Sequence, residues 1–238
     1  MMVDYWGTDE PLYDIAPPPL GDGVVDVQDL ILLSEYLFEE IFPPELVAYW
    51  KLDEAEDFVA YDSAGTNDAF LIGGAVWQPS GGKLNGALQL DGIDGYAVTG
   101  QVLNPTNGPF SVFAWIKGGA PGQVVLSQLN GANWLRADPD FGCLMTELIP
   151  PAVGRFIPQP LKSASVVTDG QWHRIGLVWD GANRALYVDD ILVVEDTQVN
   201  LQGSDGGLYI GTGSTMQPRT YWSGLIDEVR IYNRAVRP

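Results

Sequence analysis

The ten residues from Gly224 to Asn233, Gly-Leu-Ile-Asp-Glu-Val-Arg-Ile-Tyr-Asn, constrain this chain most, because they set a carboxylate inside an apolar β pattern. Branched and aromatic residues at this density favour an extended strand covered on both faces. Such a strand normally excludes Asp, since an unpaired buried charge is costly to desolvate. Asp227 therefore needs compensation from a backbone turn, from a guanidinium such as Arg230, or from a bound cation. A second oxygen-rich stretch far upstream, Tyr61-Asp62-Ser63-Ala64-Gly65-Thr66-Asn67-Asp68, offers further ligands of the same kind.

The sequence period changes near Pro43-Pro44. Before it, residues 27–41 place Leu30, Leu33, Leu37 and Ile41 on one helical stripe, with Val27 and Ile31 alongside. Asp26 stands at the helix N-cap, and Asp29 lies near the positive end of the dipole. The two prolines stop the helix, and Ile15-Ala16-Pro17-Pro18-Pro19 forms a stiff extended connector ahead of it. After Pro44 the period is two. Strands are predicted near 46–53, 69–77, 86–91, 95–99, 109–117, 123–128, 142–147, 163–168, 172–180, 184–189, 191–195, 207–211 and 222–232. The runs 110–116 and 172–179 are large on both faces. They predict central strands with one face in the core and the other under a second layer or lining a groove. Asp189-Asp190 predicts a tight hairpin. A dozen short strands punctuated by 28 Gly and 17 Pro predict an all-β antiparallel sandwich, and eight Trp help to fill its core. The predicted division is a helical appendage over 1–43 and a β domain over 44–238.

A formal charge of −19 argues against nucleic acid and anionic membrane surfaces as partners. No stretch reaches the roughly 18 apolar residues of a membrane span. Cys143 is the only cysteine, so no intrachain disulfide forms, and its apolar neighbours predict a buried, inert thiol. The start Met1-Met2-Val3-Asp4 lacks the basic and apolar regions of a signal peptide. The chain reads as a monomeric module cut from a longer, multidomain polypeptide.

From Leu46 to Arg237 the chain resembles a laminin-G-like, concanavalin-A-like jelly-roll module of the bacterial secreted type. The resemblance is carried by Val47-Ala48-Tyr49-Trp50-Lys51-Leu52-Asp53-Glu54, Asp62-Ser63-Ala64-Gly65, Gly86-Ala87-Leu88-Gln89-Leu90-Asp91-Gly92, the run Phe110–Ile116, Asp169-Gly170-Gln171-Trp172-His173-Arg174, Leu186-Tyr187-Val188-Asp189 and the terminal Gly224–Asn233 segment. It implies an extracellular or cell-surface location. It also implies one calcium ion joining the early acidic loop to the last strand, with Asp62, Asn67 and Asp227 as ligands and carbonyls near Gly65 completing the shell. Asp91 and Asp94 form a turn and, less simply, a second ligand set. The segment Gly21–Leu30 resembles half a dockerin, whose loop would use Asp22, Asp26 and Asp29 as weaker calcium ligands. Pro18 and Leu20 fall where that loop needs side-chain oxygens, so a vestigial loop is the simpler reading.

Catalytic signals are sparse. His173 is the only histidine, and one His with one Cys rules out a zinc site of the usual ligands. No nucleophile elbow appears. Glu54 and Glu56, flanked by Asp53 and Asp57, read as a solvated loop entrance, and Asp138 and Asp140 bracket Pro139 in a loop. The expected function is therefore a non-catalytic, calcium-stabilised binding module taking a polysaccharide or glycan. The alternatives are a structural or adhesion module that binds protein or spaces domains, and a jelly-roll glycoside hydrolase or lyase. Sugars stack on exposed aromatic faces. The expected platforms are Trp134, with Arg136 and Asp138 beside it, and the pair Tyr221 and Trp222. The segment Leu148–Pro160, with its prolines, is expected to wall a groove or cover a sheet edge.

Overall fold

The computed structural model describes residues 6–7, 22–36, 42–151 and 158–238. The connector at Pro17–Pro19, Leu37 and Ile41 of the helical stripe, and residues 152–157 of the proline-rich segment lie outside the described residues. By backbone packing the chain divides into two units, Met1–Pro43 and Pro44–Pro238.

In the first unit, helix α1 (Val27–Tyr36) starts where Asp26 caps it. The Asp26 carboxylate accepts the N–H of Gln28 at 2.7 Å, and Asp29 reaches back to accept the N–H of Asp26 at 2.7 Å. This is a reciprocal capping box with Asp in the place Glu usually takes. The buried side carries Val25 and Asp29, while Leu33, expected on the buried stripe, is exposed.

The second unit is a sandwich of two antiparallel sheets. The first sheet orders β14 (Ile191–Thr197), β13 (Asn183–Val188), β12 (Trp172–Trp179), β7 (Phe110–Gly118), β16 (Ser223–Tyr232), β5 (Ala87–Asp91) and β4 (Val76–Gln78), with β1 (Leu46–Trp50) also paired to β16. The second orders β11 (Leu161–Val166), β10 (Cys143–Thr146), β9 (Asn133–Ala137), β8 (Val124–Gln128), β15 (Leu208–Ile210), β6 (Tyr96–Val98), β3 (Ala69–Ile72) and β2 (Val59–Ala60). The runs that are large on both faces are central, as expected. β7 and β12 pair without interruption from Phe110↔Trp179 to Lys117↔Trp172. Phe110, Val112, Ala114 and Ile116 enter the core between the sheets, while Phe113 packs with Val178, Ala185, Tyr187 and Tyr232 on the outer face of the first sheet.

Asp189 and Asp190 both adopt left-handed backbone, φ 51° and 66°, and turn β13 into β14. Such φ values suit a two-residue type I′ hairpin, which Asp tolerates. Arg184 of β13 is buried. Its guanidinium pairs with Asp196 and donates to the carbonyl oxygens of Leu148 and Gln159, so it ties both flanks of the proline-rich segment to the hairpin.

The last strand changes partner midway. Ser223–Ile226 pair with β5, and Val229–Tyr232 pair with β1. Between them the register slips at Asp227 and Glu228, with Glu228 at φ 55°. This bulge is where the carboxylate in the apolar strand sits.

Two strands were not expected, β2 and β9, and the strand expected over 69–77 divides at Gly73-Gly74 into β3 and β4, which join different sheets. Residues 133–137 form β9, whereas Asn130–Trp134 reads as loop in the sequence. Asn130-Gly131 makes the β8–β9 hairpin, with Asn130 at φ 57°. An Asn-Gly pair between two apolar runs was the available signal.

Candidate functional site

Asp227 finds its compensation in a loop. Its Oδ2 accepts the N–H groups of Lys83 and Leu84 at 2.8 and 3.0 Å. Its Oδ1 is buried with no hydrogen-bond partner among the described residues. Burial pushes its pKa up to about 7, against the pull of the two N–H groups and with the help of Glu228 and Asp53 nearby. Arg230 does not compensate it. That guanidinium turns to Glu228 and the Tyr49 hydroxyl, and stacks 4.4 Å from the Tyr49 ring centroid.

Asp62, Gly65 and Asn67 do come together, but around each other. The Asp62 carboxylate accepts the N–H groups of Tyr49, Ala64 and Asn67 and the side-chain amide of Asn67, at 2.8 to 3.0 Å. Gly65 packs so close that a Cβ there would lie 2.9 Å from Asp62 Oδ2. A carboxylate taking four N–H donors has no oxygen turned to a cation, and Asn67 presents N–H to Asp62. Of the expected calcium side chains, Asp62 and Asn67 are turned to each other and Asp227 alone keeps a buried oxygen without a partner, so they do not fit the expected ligand shell. In the first unit, Asp22 accepts the N–H of Val24, and Asp26 and Asp29 serve the helix cap. The described residues contain no cluster of three or more His, Cys, Asp or Glu placed for a metal.

The expected aromatic platforms are corrected. Trp134 and Trp222 are both 0% exposed. Trp134 lies inward on β9, 5.3 Å from the Phe110 ring. Trp222 packs on Gly119, where a Cβ would come within 2.3 Å of the indole. Neither ring offers a face to a sugar. Arg136 pairs with Glu147 at 2.6 Å and donates to the Gly122 carbonyl oxygen. Asp138 is buried and accepts the N–H groups of Asp140, Phe141 and Cys143 together with Lys162 Nζ at 2.6 Å. Burial opposes its ionisation, but these donors outweigh it and bring its pKa down to about 2. Arg136 and Asp138 thus hold structure. Tyr221 stays half-buried beside Tyr96, their ring centroids 6.2 Å apart.

His173 is held between Asp189 (2.9 Å) and Asp169 (3.1 Å). Partial burial disfavours its charged form, yet the two carboxylates prevail and raise its pKa. Glu54, read from sequence as solvated, keeps one carboxylate oxygen buried and unpartnered, and burial raises its pKa.

A groove of about 760 Å³ lies on the outer face of the first sheet, over β12, β13 and β14. Its floor includes Val178, Ala185 and Tyr187, and Asp190 and Glu195 stand on its walls. The cross-strand register explains the gathering: Tyr187 sits opposite Leu192 and Gly176, and Ala185 opposite Glu195 and Val178. Gly176 is required here, because the Phe113 ring lies across it and a Cβ would meet that ring at 2.4 Å. Arg174 donates to Asp190 at 2.6 Å and covers Phe113 at 5.0 Å, so it fixes one wall. The Asp180 carboxylate accepts the N–H groups of Ala182 and Asn183, which hold its pKa below the usual carboxylate range. None of these residues was singled out from the sequence as a ligand contact. The signal for Tyr187 was its parity, opposite to that of the core residues Leu186 and Val188.

A model of the concanavalin A-like lectin/glucanases superfamily matches residues 91–238, more than half of the chain. No curated protein matches. Among solved structures, domain 4 of AbnA, an extracellular GH43 arabinanase of Geobacillus stearothermophilus in complex with arabinotriose, is similar at 20% identity and TM-score 0.57, over 82% of this chain and 95% of that one. The binding domain of Paraclostridial Mosquitocidal Protein 1 is similar at 12% identity and TM-score 0.65, over 81% and 50%. Trypanosoma rangeli sialidase, with 2,3-difluorosialic acid as a covalent intermediate, is similar at 16% identity and TM-score 0.55, over 99% and 35%. The chain thus spans nearly all of the arabinanase domain, but half of the second protein and about a third of the third. Likeness at these identities speaks for the fold. With its two antiparallel sheets and the match over residues 91–238, the chain belongs to the concanavalin A-like lectin/glucanase superfamily, as a laminin-G-like domain.

Proposed function

We propose that this chain is a non-catalytic carbohydrate-binding domain of an extracellular protein, with its ligand in the groove over β12, β13 and β14. The groove carries the reading. Its volume, about 760 Å³, suits a few sugar units. Its floor is largely buried, with Tyr187 at 8% exposure beside Val178 and Ala185, so the ring offers a sugar a limited contact and the carboxylates on the walls accept its hydroxyl groups. The arabinotriose complex of a similar domain supports the same ligand class. The non-catalytic part rests on chemistry. A glycosidase needs a protonated carboxyl group in reach of the glycosidic oxygen. Two carboxyl groups have raised pKa values, Asp227, which is 0% exposed, and Glu54, and neither lines the groove. Within the groove, Asp180 is committed to its turn and Asp190 to Arg174.

A second reading, a protein-binding or adhesion domain, is favoured by one observation. Phe70 and Ile72 of β3 are 55% and 42% exposed on the outer face of the second sheet. A glycan array decides between the two. Binding of wild-type protein to a set of related glycans, lost about tenfold in Tyr187→Leu with the fold intact, is the expected result. A blank array removes the carbohydrate reading and leaves the second.

A further inference from the structure

The groove is charged unevenly. Asp180, Asp190 and Glu195 line it against one guanidinium, Arg237. The three carboxylates are not equivalent. Asp180 is turned into its own turn, accepting from Ala182, Asn183 and the Asn183 amide. Asp190 shares its charge with Arg174, whose guanidinium also rests on Phe113. Glu195 is exposed, and its carboxylate has no hydrogen-bond or ion-pair partner among the described residues. It projects from β14 next to Ala185, so it stands over the apolar floor and close to whatever rests there.

A sugar ring on this floor brings its substituents within a few ångström of Glu195. Hydroxyl groups donate to a carboxylate, which is favourable. A uronate or sialate carboxylate in the same place is repelled. A like-charge pair at about 4 Å in water costs roughly fivefold in affinity, and a polymer bearing one acid per residue meets this more than once. The chain's formal charge of −19 adds a longer-range repulsion, limited by salt to about 8–10 Å. Arg174 offsets Asp190 and Arg237 supplies one further positive charge, so one of the three negative charges is left over, and Glu195 is the one with no partner.

We propose that the groove selects uncharged glycan chains and rejects those bearing uronic or sialic acids, with Glu195 as the specificity-determining residue. This rests on the carbohydrate reading of the same groove. Glu195 acts on the ligand's charge, and its substitution leaves the fold intact because the side chain is exposed and unpaired.

Affinity electrophoresis against matched pairs tests it: hydroxyethylcellulose with carboxymethylcellulose, methyl-esterified with de-esterified polygalacturonan, and desialylated with sialylated mucin. Wild-type protein is expected to be retarded by the neutral member of at least one pair and tenfold or more weakly by its acidic partner. In Glu195→Lys the acidic member should come within about threefold of the neutral one, and that gain should fade as salt rises. Glu195→Gln should lie between. Equal or stronger retardation of wild type by an acidic member overturns the selectivity while the carbohydrate reading stands. Selectivity unchanged in Glu195→Lys overturns the role of Glu195. Retardation by neither member of any pair overturns the carbohydrate reading, and this proposal falls with it.

Discussion

Asp138 and Asp227 are both wholly buried, yet their carboxyl groups are driven in opposite directions. Asp138 lies at the end of β9, where three backbone N–H groups and the Lys162 ammonium converge on it, and its pKa falls to about 2. Asp227 lies in the β16 bulge, where two N–H groups meet one oxygen and none meets the other, with Asp53 and Glu228 close by, and its pKa rises to about 7. Burial is common to both. The number of donors that reach each carboxylate decides its charge. Asp138 is thus an ionised hub that holds a turn, and Asp227 is a pin between the last strand and the 83–84 loop that keeps its proton up to near pH 7.

The largest effect that sharpens this comparison should come from Asp138→Ala. It strands the buried N–H of Cys143, the part-buried N–H groups of Asp140 and Phe141 and the Lys162 ammonium, and should cost about 3–5 kcal/mol in chemical denaturation. A loss below about 1 kcal/mol would mean that water reaches those donors.

Asp227 should give the next largest effect, through pH. Its folded pKa, about 7, lies above the ordinary aspartate value of 3.8, so the native state keeps a proton that the unfolded chain has released. Stability is therefore highest below pH 4 as far as this group is concerned, falls as pH rises to 7, and is flat beyond. The full drop is on the order of 4 kcal/mol. Asp227→Asn should remove this slope, and a chelator should leave the melting temperature where it was. A slope that vanishes on adding calcium, or a melting temperature lowered by EDTA, would place a cation on the open oxygen and break the comparison. Asp138 acts in the other direction and lower: its contribution is lost as pH falls below 4 towards 2.

His173 should give the smallest effect. Its pKa is raised, so its pairing with Asp189 and Asp169 is fully present below the unfolded value near 6.5 and fades as pH rises through the folded value. Because the two carboxylates are about half exposed, the loss should be a few tenths of a kcal/mol. His173→Gln should flatten the profile above pH 6.5 and leave the Asp227 slope untouched. A profile unchanged above pH 6.5 would show that the pairing carries no stability.

Much of this architecture was legible in the residues. The period-two runs at 110–116 and 172–179, large on both faces, mark central strands whose outer face is also used, and the groove lies on that face. Asp26 marks the helix start, and Asp189-Asp190 marks the hairpin, because both depend on neighbours two or three residues away. The platform at Trp134 was misplaced for one reason. Trp134 lies three residues beyond Gly131, and reading Asn130–Trp134 as loop, when residues 129–131 alone turn β8 into β9, put a core indole on the surface.

By itself the sequence determined the all-β class, the jelly-roll resemblance, the helix cap and the demand that Asp227 be compensated. These follow from local spacing and from the cost of burying a charge. The tertiary structure alone decided what compensates it: a loop 144 residues earlier in the chain, and not Arg230 three residues on. It also decided that Asp62 and Asn67 satisfy each other, and that residues of β12, β13 and β14 share one groove. Alternation along a strand says which side chains share a face. Which face is covered, and by what, depends on strands and loops brought together across the whole chain.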